Sequence, residues 1–352
     1  GAGIGRYYSS LLKEFAKRNI KIYTEVPLKY KKEFLEEFQE VLNNIKVYFV
    51  SYEKFSIKAL FLQSLKLKKL KKIIRIYFYP HVNLPFYVPK NLIVTIHDLR
   101  PFTSFWDRSK IKKSLLDIFY KRSLSKAKKI IAVSKTTKKD ILKYFPQVQE
   151  EKIKVIYNFI DNKFYTFPKS SNRIVKDEYL LYVGKRKKHK NLEMLIKAYS
   201  LIKDKIDCKL VIAGGKESAI DEVDKLKNKL KLFDKIIEFI SPDDKTIINL
   251  YDNALAFVFP SLYEGFGFPP LEAMARGCPV VASNIKVIKE ICKDAVLYLN
   301  PYSINDMAQK LLQIINFPSL REELKNKGFE RLKKFNTDII ISEYIKIFNS
   351  LV

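Results

Sequence analysis

The stretch Phe259-Pro260-Ser261-Leu262-Tyr263-Glu264-Gly265-Phe266-Gly267-Phe268-Pro269-Pro270-Leu271-Glu272-Ala273-Met274-Ala275-Arg276-Gly277-Cys278-Pro279-Val280-Val281-Ala282-Ser283 decides how the rest of the chain is read. An apolar, strand-like run ends at Phe259 and empties into a glycine-bearing turn. A short helix follows, opened by Pro269 and Pro270 and closed by Gly277. Proline at a helix start and glycine just past its end is the expected asymmetry. A second strand-like run begins at Pro279. Strand, turn, helix, strand is the repeating unit of a parallel α/β sheet, and open sheets of that kind bind ligands at the carboxyl ends of their strands. Glu264 in the turn and Glu272, expected in the first helical turn, can both face such a ligand.

The residue types in this loop narrow the ligand. Gly265 and Gly267 let backbone approach a ligand without a Cβ in the way. Amides there and at the helix start favour anionic oxygens, because unpaired N–H groups and the helix dipole point outward. A carboxylate accepts hydrogen bonds from hydroxyls and repels phosphate. Together these suit a molecule carrying both phosphates and many hydroxyls, such as a sugar nucleotide. A plainer reading makes Glu272 a complement to the helix N-terminus and Glu264 a solvated turn residue.

Outward from the loop, short apolar runs alternate with helical periods along the whole chain, the pattern of a parallel α/β architecture. Strands are expected at 20–26, 45–50, 74–79, 92–96, 129–133 and 153–157. A second set is expected at 179–183, 209–213, 236–240, 255–259, 279–282 and 295–299. The segment 158–177 holds Pro168, Ser170, Ser171 and Asn172 without clear periodicity and is read as the boundary between two domains. A chain of 352 residues is too long for one typical core and suits two.

Three further segments carry chemistry. Tyr182-Val183-Gly184-Lys185-Arg186-Lys187-Lys188-His189-Lys190-Asn191-Leu192 follows a strand and opens a helix, a place for a diphosphate. Gly1-Ala2-Gly3-Ile4-Gly5-Arg6-Tyr7-Tyr8 reads as a glycine-rich turn running into an amphipathic helix over 8–18. No strand precedes that turn and the first residue is not Met, so a preceding segment is expected. His97-Asp98 ends a buried strand, where His97 can hydrogen-bond hydroxyls and Asp98 can orient it or take up a proton. A His in that place is also often structural.

Taken together these strings resemble glycosyltransferase family 4, retaining enzymes of the GT-B fold. The resemblance implies two facing Rossmann-like parallel-sheet domains: 1–165 with a final helix, 337–352, crossing back to it, and 175–336 binding the donor nucleotide. It implies that Arg186, with Lys185 as its substitute, and Lys190 hold the donor diphosphate. Glu272 would bind the ribose and Glu264 the sugar, surrounded by the amides of Gly265, Phe266 and Gly267. Gly3 and Gly5 would approach the donor phosphates, and His97 and Asp98 would face the donor sugar. Glu264 as nucleophile and same-face attack assisted by the leaving phosphate both remain compatible. The favoured donor is GDP-mannose, ahead of UDP-glucose or another nucleoside-diphosphate hexose, and the acceptor is a glycan or lipid-linked hydroxyl. No cofactor or metal is expected, since the Asp-x-Asp pair of many other glycosyltransferases does not occur in the sequence. The alternatives are a sucrose- or glycogen-synthase-like transferase with a soluble acceptor and a non-catalytic sugar-nucleotide-binding partner subunit.

Composition adds a second theme. Sixty-six Lys and Arg against 38 Asp and Glu leave a net charge of +28. Nothing resembles a nucleic-acid module, so no nucleic-acid partner is expected. Leu62, Leu65, Leu70, Ile73 and Ile74 can share a helical face among Lys66, Lys68, Lys69, Lys71 and Lys72. A second basic helix is expected within 110–129, with Lys112, Lys113, Lys121 and Arg122. Basic amphipathic helices lie flat on anionic bilayers, whereas ordinary α/β helices pack their apolar faces on a sheet. Cys208, Cys278 and Cys292, odd in number and without metal spacing, suit a reducing compartment. The expected location is cytoplasmic, peripheral on the inner face of the plasma membrane.

Overall fold

A computed structural model of the protein describes residues 3–52, 56–106, 109–169, 172–216 and 220–352. The chain divides into two compact units. One comprises Gly1–Leu99, Arg108–Asn158 and Thr337–Val352; the other comprises Arg100–Asp107 and Phe159–Asn336. Each of the twelve expected strands forms, with ends shifted by a few residues.

In the second unit the strands are β7 (Tyr179–Val183), β8 (Lys209–Gly214), β9 (Ile236–Ile240), β10 (Ala256–Phe259), β11 (Val280–Ser283) and β12 (Leu297–Leu299) once β1 to β6 of the first unit are counted. They form one sheet in the order β12-β11-β10-β7-β8-β9, and every pairing is parallel. Every residue of β10 and β11 is buried, as expected for strands covered on both faces. Leu195, Ile196 and Tyr199 of the helix Leu192–Ser200 and Leu311 and Ile314 of the helix Ile304–Asn316 close one core against the sheet. The chain winds outward from β7 in one direction and from β10 in the other. Those two strands pair at Leu180↔Ala256 and Leu181↔Phe257, so the winding reverses between them. That reversal is the topological switch point, where open α/β sheets leave a crevice for ligands.

The first unit carries β1 (Ile22–Pro27) and β2 (Ile45–Val50) as one parallel pair. Its other sheet is β3 (Tyr77–Tyr79), β4 (Leu92–Ile96), β5 (Lys129–Ala132) and β6 (Ile153–Val155), parallel and in that order. One helix, Gly3–Lys17, serves both sheets. Its Leu12 and Ala16 enter a core with Val26, Phe34 and Phe38 beside β1 and β2. Its Phe15 meets Phe78 of β3 edge-on at 6.4 Å and Tyr344 of the final helix at 5.7 Å. The final helix, Thr337–Asn349, belongs to this unit and buries Ile340, Ile341, Tyr344 and Ile347. Tyr344 and Tyr7 share a buried hydroxyl–hydroxyl hydrogen bond of 2.6 Å. Ile339 of this helix is 51% exposed, whereas Ile341 is fully buried.

Two local expectations are corrected. The helix begins at Gly3, not at Tyr8, so Gly3 and Gly5 are helical rather than a turn. Burial of Tyr7, Leu11, Leu12 and Phe15 along one face outweighs the poor helix propensity of glycine. Gly1 and Ala2 lie outside the described residues, as does the side chain of Arg6. The basic helix placed at 62–74 runs instead over Ile57–Leu70.

Candidate active site

The loops after β7 and β10 are the ones that border the switch point, and the sequence places its basic residues in the first and its glutamate in the second. The turn after β10 ends at Gly267, which has φ of +108° and caps the helix Phe268–Ala275. The positive φ is what favours glycine there, since the one atom a Cβ would crowd, Ile288 Cδ1 at 2.8 Å, is the movable end of a side chain. Pro269 and Pro270 have no N–H, which removes two of the donors a helix start ordinarily offers. The helix closes with Gly277 N–H on Met274 O and Cys278 N–H on Ala273 O, both 2.9 Å, a Schellman motif. Arg276, at its end, is buried and grips both carboxylate oxygens of Asp252 at 2.7 and 2.8 Å. It also donates to the carbonyls of Phe164 and Phe167 at 3.1 and 2.8 Å, fastening the start of this unit to the back of the site helix.

The loop after β7 is tied to the loop after β10 by backbone and side chain. Asn191, left-handed at φ 61°, donates from Nδ2 to Pro260 O at 3.1 Å and Pro301 O at 2.8 Å. Leu262 N–H donates to His189 O at 2.8 Å. These bonds hold Lys190 against the turn, where its Nζ donates to Glu264 Oε1 at 2.6 Å. The two side chains are 20% and 14% exposed, so the pair is sheltered yet reachable. His189 is buried, and that burial pushes its imidazole down to about 4, so it is neutral near pH 7. Its Nδ1 lies 3.4 Å from Arg100 Nη1 and accepts from it. Arg100 belongs to the 100–107 segment of this unit, whose Phe105 also packs on Tyr263 at 6.0 Å. Sequence reasoning did not single out Arg100, Asn191 or His189; an asparagine directly ahead of a helix was the one available signal, for Asn191.

The structure encloses Arg186, which the resemblance assigns to the donor diphosphate, among carboxylates. Its side chain is 3% exposed and its Nη1 donates to Asp221 at 3.1 Å and Asp224 at 3.2 Å. Its Nη2 donates to Glu238, which also pairs with Lys227 at 2.7 Å. Lys216 pairs with Asp224 at 2.6 Å, and these contacts, working against its desolvation, hold that carboxyl well below the usual range. Asp221 in turn caps the helix Glu222–Lys229 through a capping box. The guanidinium is thus surrounded by three carboxylates. Lys185 is exposed, and its aliphatic stem runs along Gly215. Beside it Gly214, at φ +152°, lets the loop pass so closely that a Cβ would sit 2.1 Å from Gly184 O.

Glu272 lies at the fifth position of its helix, one turn later than expected, because the helix starts at Phe268. Gly265 is half-buried and Phe266 is buried, its ring edge-on to Phe335 at 5.8 Å. His97 and Asp98 follow β4 in the first unit. His97 Nε2 donates to Pro80 O at 2.9 Å and its ring stands edge-on to Tyr7 at 5.8 Å. Tyr120 OH donates to Asp98 O at 2.8 Å. Gly5 has open space where a Cβ would be. Among the described residues no group of three or more His, Cys, Asp or Glu side chains is arranged to hold a metal ion.

Comparison with known proteins identifies this arrangement. The sequence pattern of glycosyltransferase family 4 matches residues 1–164, and that of glycosyl transferases group 1 matches residues 164–331. The chain is 32% identical over 237 residues to the O-antigen chain mannosyltransferase RfbU of Salmonella typhimurium, a match spanning 67% of this chain and 64% of that one. It is 27% identical over 284 residues to O-antigen chain mannosyltransferase B of Escherichia coli, covering 76% and 73%. The crystal structure of Anabaena HepE in complex with UDP and glucose superposes with a TM-score of 0.77, covering 99% of this chain and 96% of that one. At 16% identity that likeness speaks to the fold alone, which is GT-B. With the two family patterns meeting at residue 164 and together spanning residues 1–331, the chain belongs to glycosyltransferase family 4.

Proposed function

We propose that the protein transfers a hexose, mannose first among candidates, from a nucleoside-diphosphate sugar to a hydroxyl of a glycan or lipid-linked acceptor, with retention and without a metal. The observation that carries this reading is the Lys190–Glu264 pair at the switch point of the second sheet. Lys190, with Lys185 in place of Arg186, would neutralise the diphosphate as it departs. Such fixed cations act most strongly where charge develops in the transition state. Glu264, already ion-paired, is better suited to stabilise positive charge at the anomeric carbon than to attack it. Same-face substitution assisted by the leaving phosphate follows from that assignment. Glu272 would hold the ribose, and the amides of Gly265 to Phe268 the donor oxygens. His97 and Asp98 would bind hydroxyls, with the His97 ring held through its Nε2 by Pro80 O.

The names of RfbU and of the E. coli relative favour mannose. The UDP and glucose in the HepE crystal favour the second reading, a UDP-glucose donor. A panel of nucleotide sugars scored by thermal stabilisation tests both, since a ligand of the folded state raises its stability by mass action. GDP-mannose is expected to stabilise most. If no nucleotide sugar shifts the melting temperature, the proposal falls. Transfer is expected to persist in EDTA; its complete loss, restored by Mg²⁺ or Mn²⁺, would overturn the metal-free leaving-group step.

A further inference from the structure

Two helices of the first unit expose apolar residues on the faces turned away from the core. In Lys110–Lys126 the buried side is Tyr120, Ser123 and Leu124. Ile111, Leu115 and Ile118 are 82%, 51% and 59% exposed. At 100° per residue these three fall within one narrow stripe, opposite the buried side. In Ile57–Leu70 the residues packed inward are Ala59, Leu60 and Ser64, and Phe61, Leu62 and Leu65 are 55%, 36% and 44% exposed. A soluble surface helix carries one apolar stripe, toward its core. Here each carries a second.

Both helices hold the same connector. Arg122 donates to the carbonyls of Leu84 and Phe86 at 2.9 Å each, and Ser123 to Val82 O at 2.9 Å. From the other side Ser64 Oγ accepts Tyr87 N–H at 2.9 Å. Phe86, on that connector, is itself 59% exposed. The outward faces of two helices and one phenyl ring therefore flank a single short segment. The charge around them is predominantly positive. The Ile57–Leu70 helix contains Lys58, Lys66, Lys68 and Lys69 and no acidic residue, Lys66 being paired with Glu25 at 3.1 Å. The other helix has Lys110, Lys112, Lys113, Lys121, Arg122 and Lys126 against Asp117 alone, which is paired with Lys121 at 2.6 Å.

We propose that this surface is a docking site for an anionic lipid bilayer, with Ile111, Leu115, Ile118 and Phe86 entering the headgroup boundary and the lysines meeting acidic headgroups. Apolar side chains interleaved with lysines are the composition of a helix that lies in a membrane interface. Each basic residue near the surface adds attraction that falls off within a Debye length. No described helix is long and apolar enough to cross a membrane, so the contact is with one leaflet. The proposal stands apart from the transfer reaction, because attachment needs no donor.

Co-sedimentation of the full chain with vesicles of phosphatidylcholine, with and without phosphatidylglycerol, tests it in the absence of nucleotide. The protein is expected to pellet with the anionic vesicles and to be released by salt. The variant Ile111→Ser/Leu115→Ser/Ile118→Ser keeps every charge and touches only exposed residues, so its melting temperature should be unchanged. Its vesicle affinity should fall at least about tenfold. The variant Lys112→Glu/Lys113→Glu should lose binding mainly at low salt. Protein remaining in the supernatant with anionic vesicles at low salt would overturn the proposal. So would equal binding by the triple serine variant, which would make the contact adsorption by charge alone. A dimer in sedimentation velocity that the triple variant converts to monomer would assign the stripe to a second copy of the chain instead.

Discussion

Arg186 and Lys190 sit four positions apart in one loop, yet they differ in almost everything that matters for binding. Arg186 is 3% exposed and meets three carboxylates. Lys190 is 20% exposed and pairs with Glu264, its Nζ also lying 5.5 Å from the centre of the Phe259 ring. The planar guanidinium, with five donors, suits a rigid multi-carboxylate nest, whereas a single ammonium on a flexible stem can keep one partner and accept another. The difference teaches that a basic loop at a helix start is not uniformly a phosphate site. One of its cations builds the loop, and the other is the one proposed to meet the ligand.

The largest expected effect tests the building role. Arg186→Met would strand Asp221, Asp224 and Glu238 around an apolar side chain. Breaking a buried ionic cluster from one side costs about 3–5 kcal/mol, read as a lower denaturant midpoint. A variant as stable as the parent would show the cluster to be solvated and return Arg186 to the list of donor ligands. Next in size is Glu264→Gln, expected to lower kcat by about 100- to 1000-fold, the usual loss when one electrostatic partner of a transition state is removed. An effect confined to KM would move Glu264 from the reacting carbon to ground-state binding.

Acid provides the third test, at the residue beside Lys190. His189 has an ordinary value near 6.5 in the unfolded chain and is pushed down to about 4 in the folded one. Between those values the unfolded state binds the extra proton, so stability is complete above pH 6.5 and falls as pH drops toward 4. The loss should approach about 3 kcal/mol. His189→Gln should flatten that segment of the stability–pH curve, and an unchanged slope would mean that other groups carry it.

Much of the fold was legible because buried strands write themselves as apolar runs. β10 and β11 are four residues each with no exposed member, and both were bounded by glycine or proline signals. The two site loops were legible for the same reason, since each follows such a strand. What local spacing does not carry is partnership at long range. Asp221, Asp224 and Glu238 lie 35, 38 and 52 residues beyond Arg186, and nothing near Arg186 announces them. Gly3 and Gly5 misled in another way: two glycines suggest a turn, but tertiary burial of Tyr7 and Leu11 sets the helix. The 100–107 segment was silent because its role in the second unit, through Arg100 and Phe105, rests on contacts with His189 and Tyr263 far along the chain.

The most direct test of the division between the two cations is the nucleotide dissociation constant of three proteins: the parent, Lys190→Ala, and Arg186→Met held below its melting temperature. The nucleoside diphosphate that stabilises the parent most is the probe. A charged hydrogen bond contributes about 1.5–3 kcal/mol, so Lys190→Ala should bind about 10- to 150-fold more weakly. Folded Arg186→Met should bind as the parent does. Weakened binding in the arginine variant with none in the lysine variant would contradict the account.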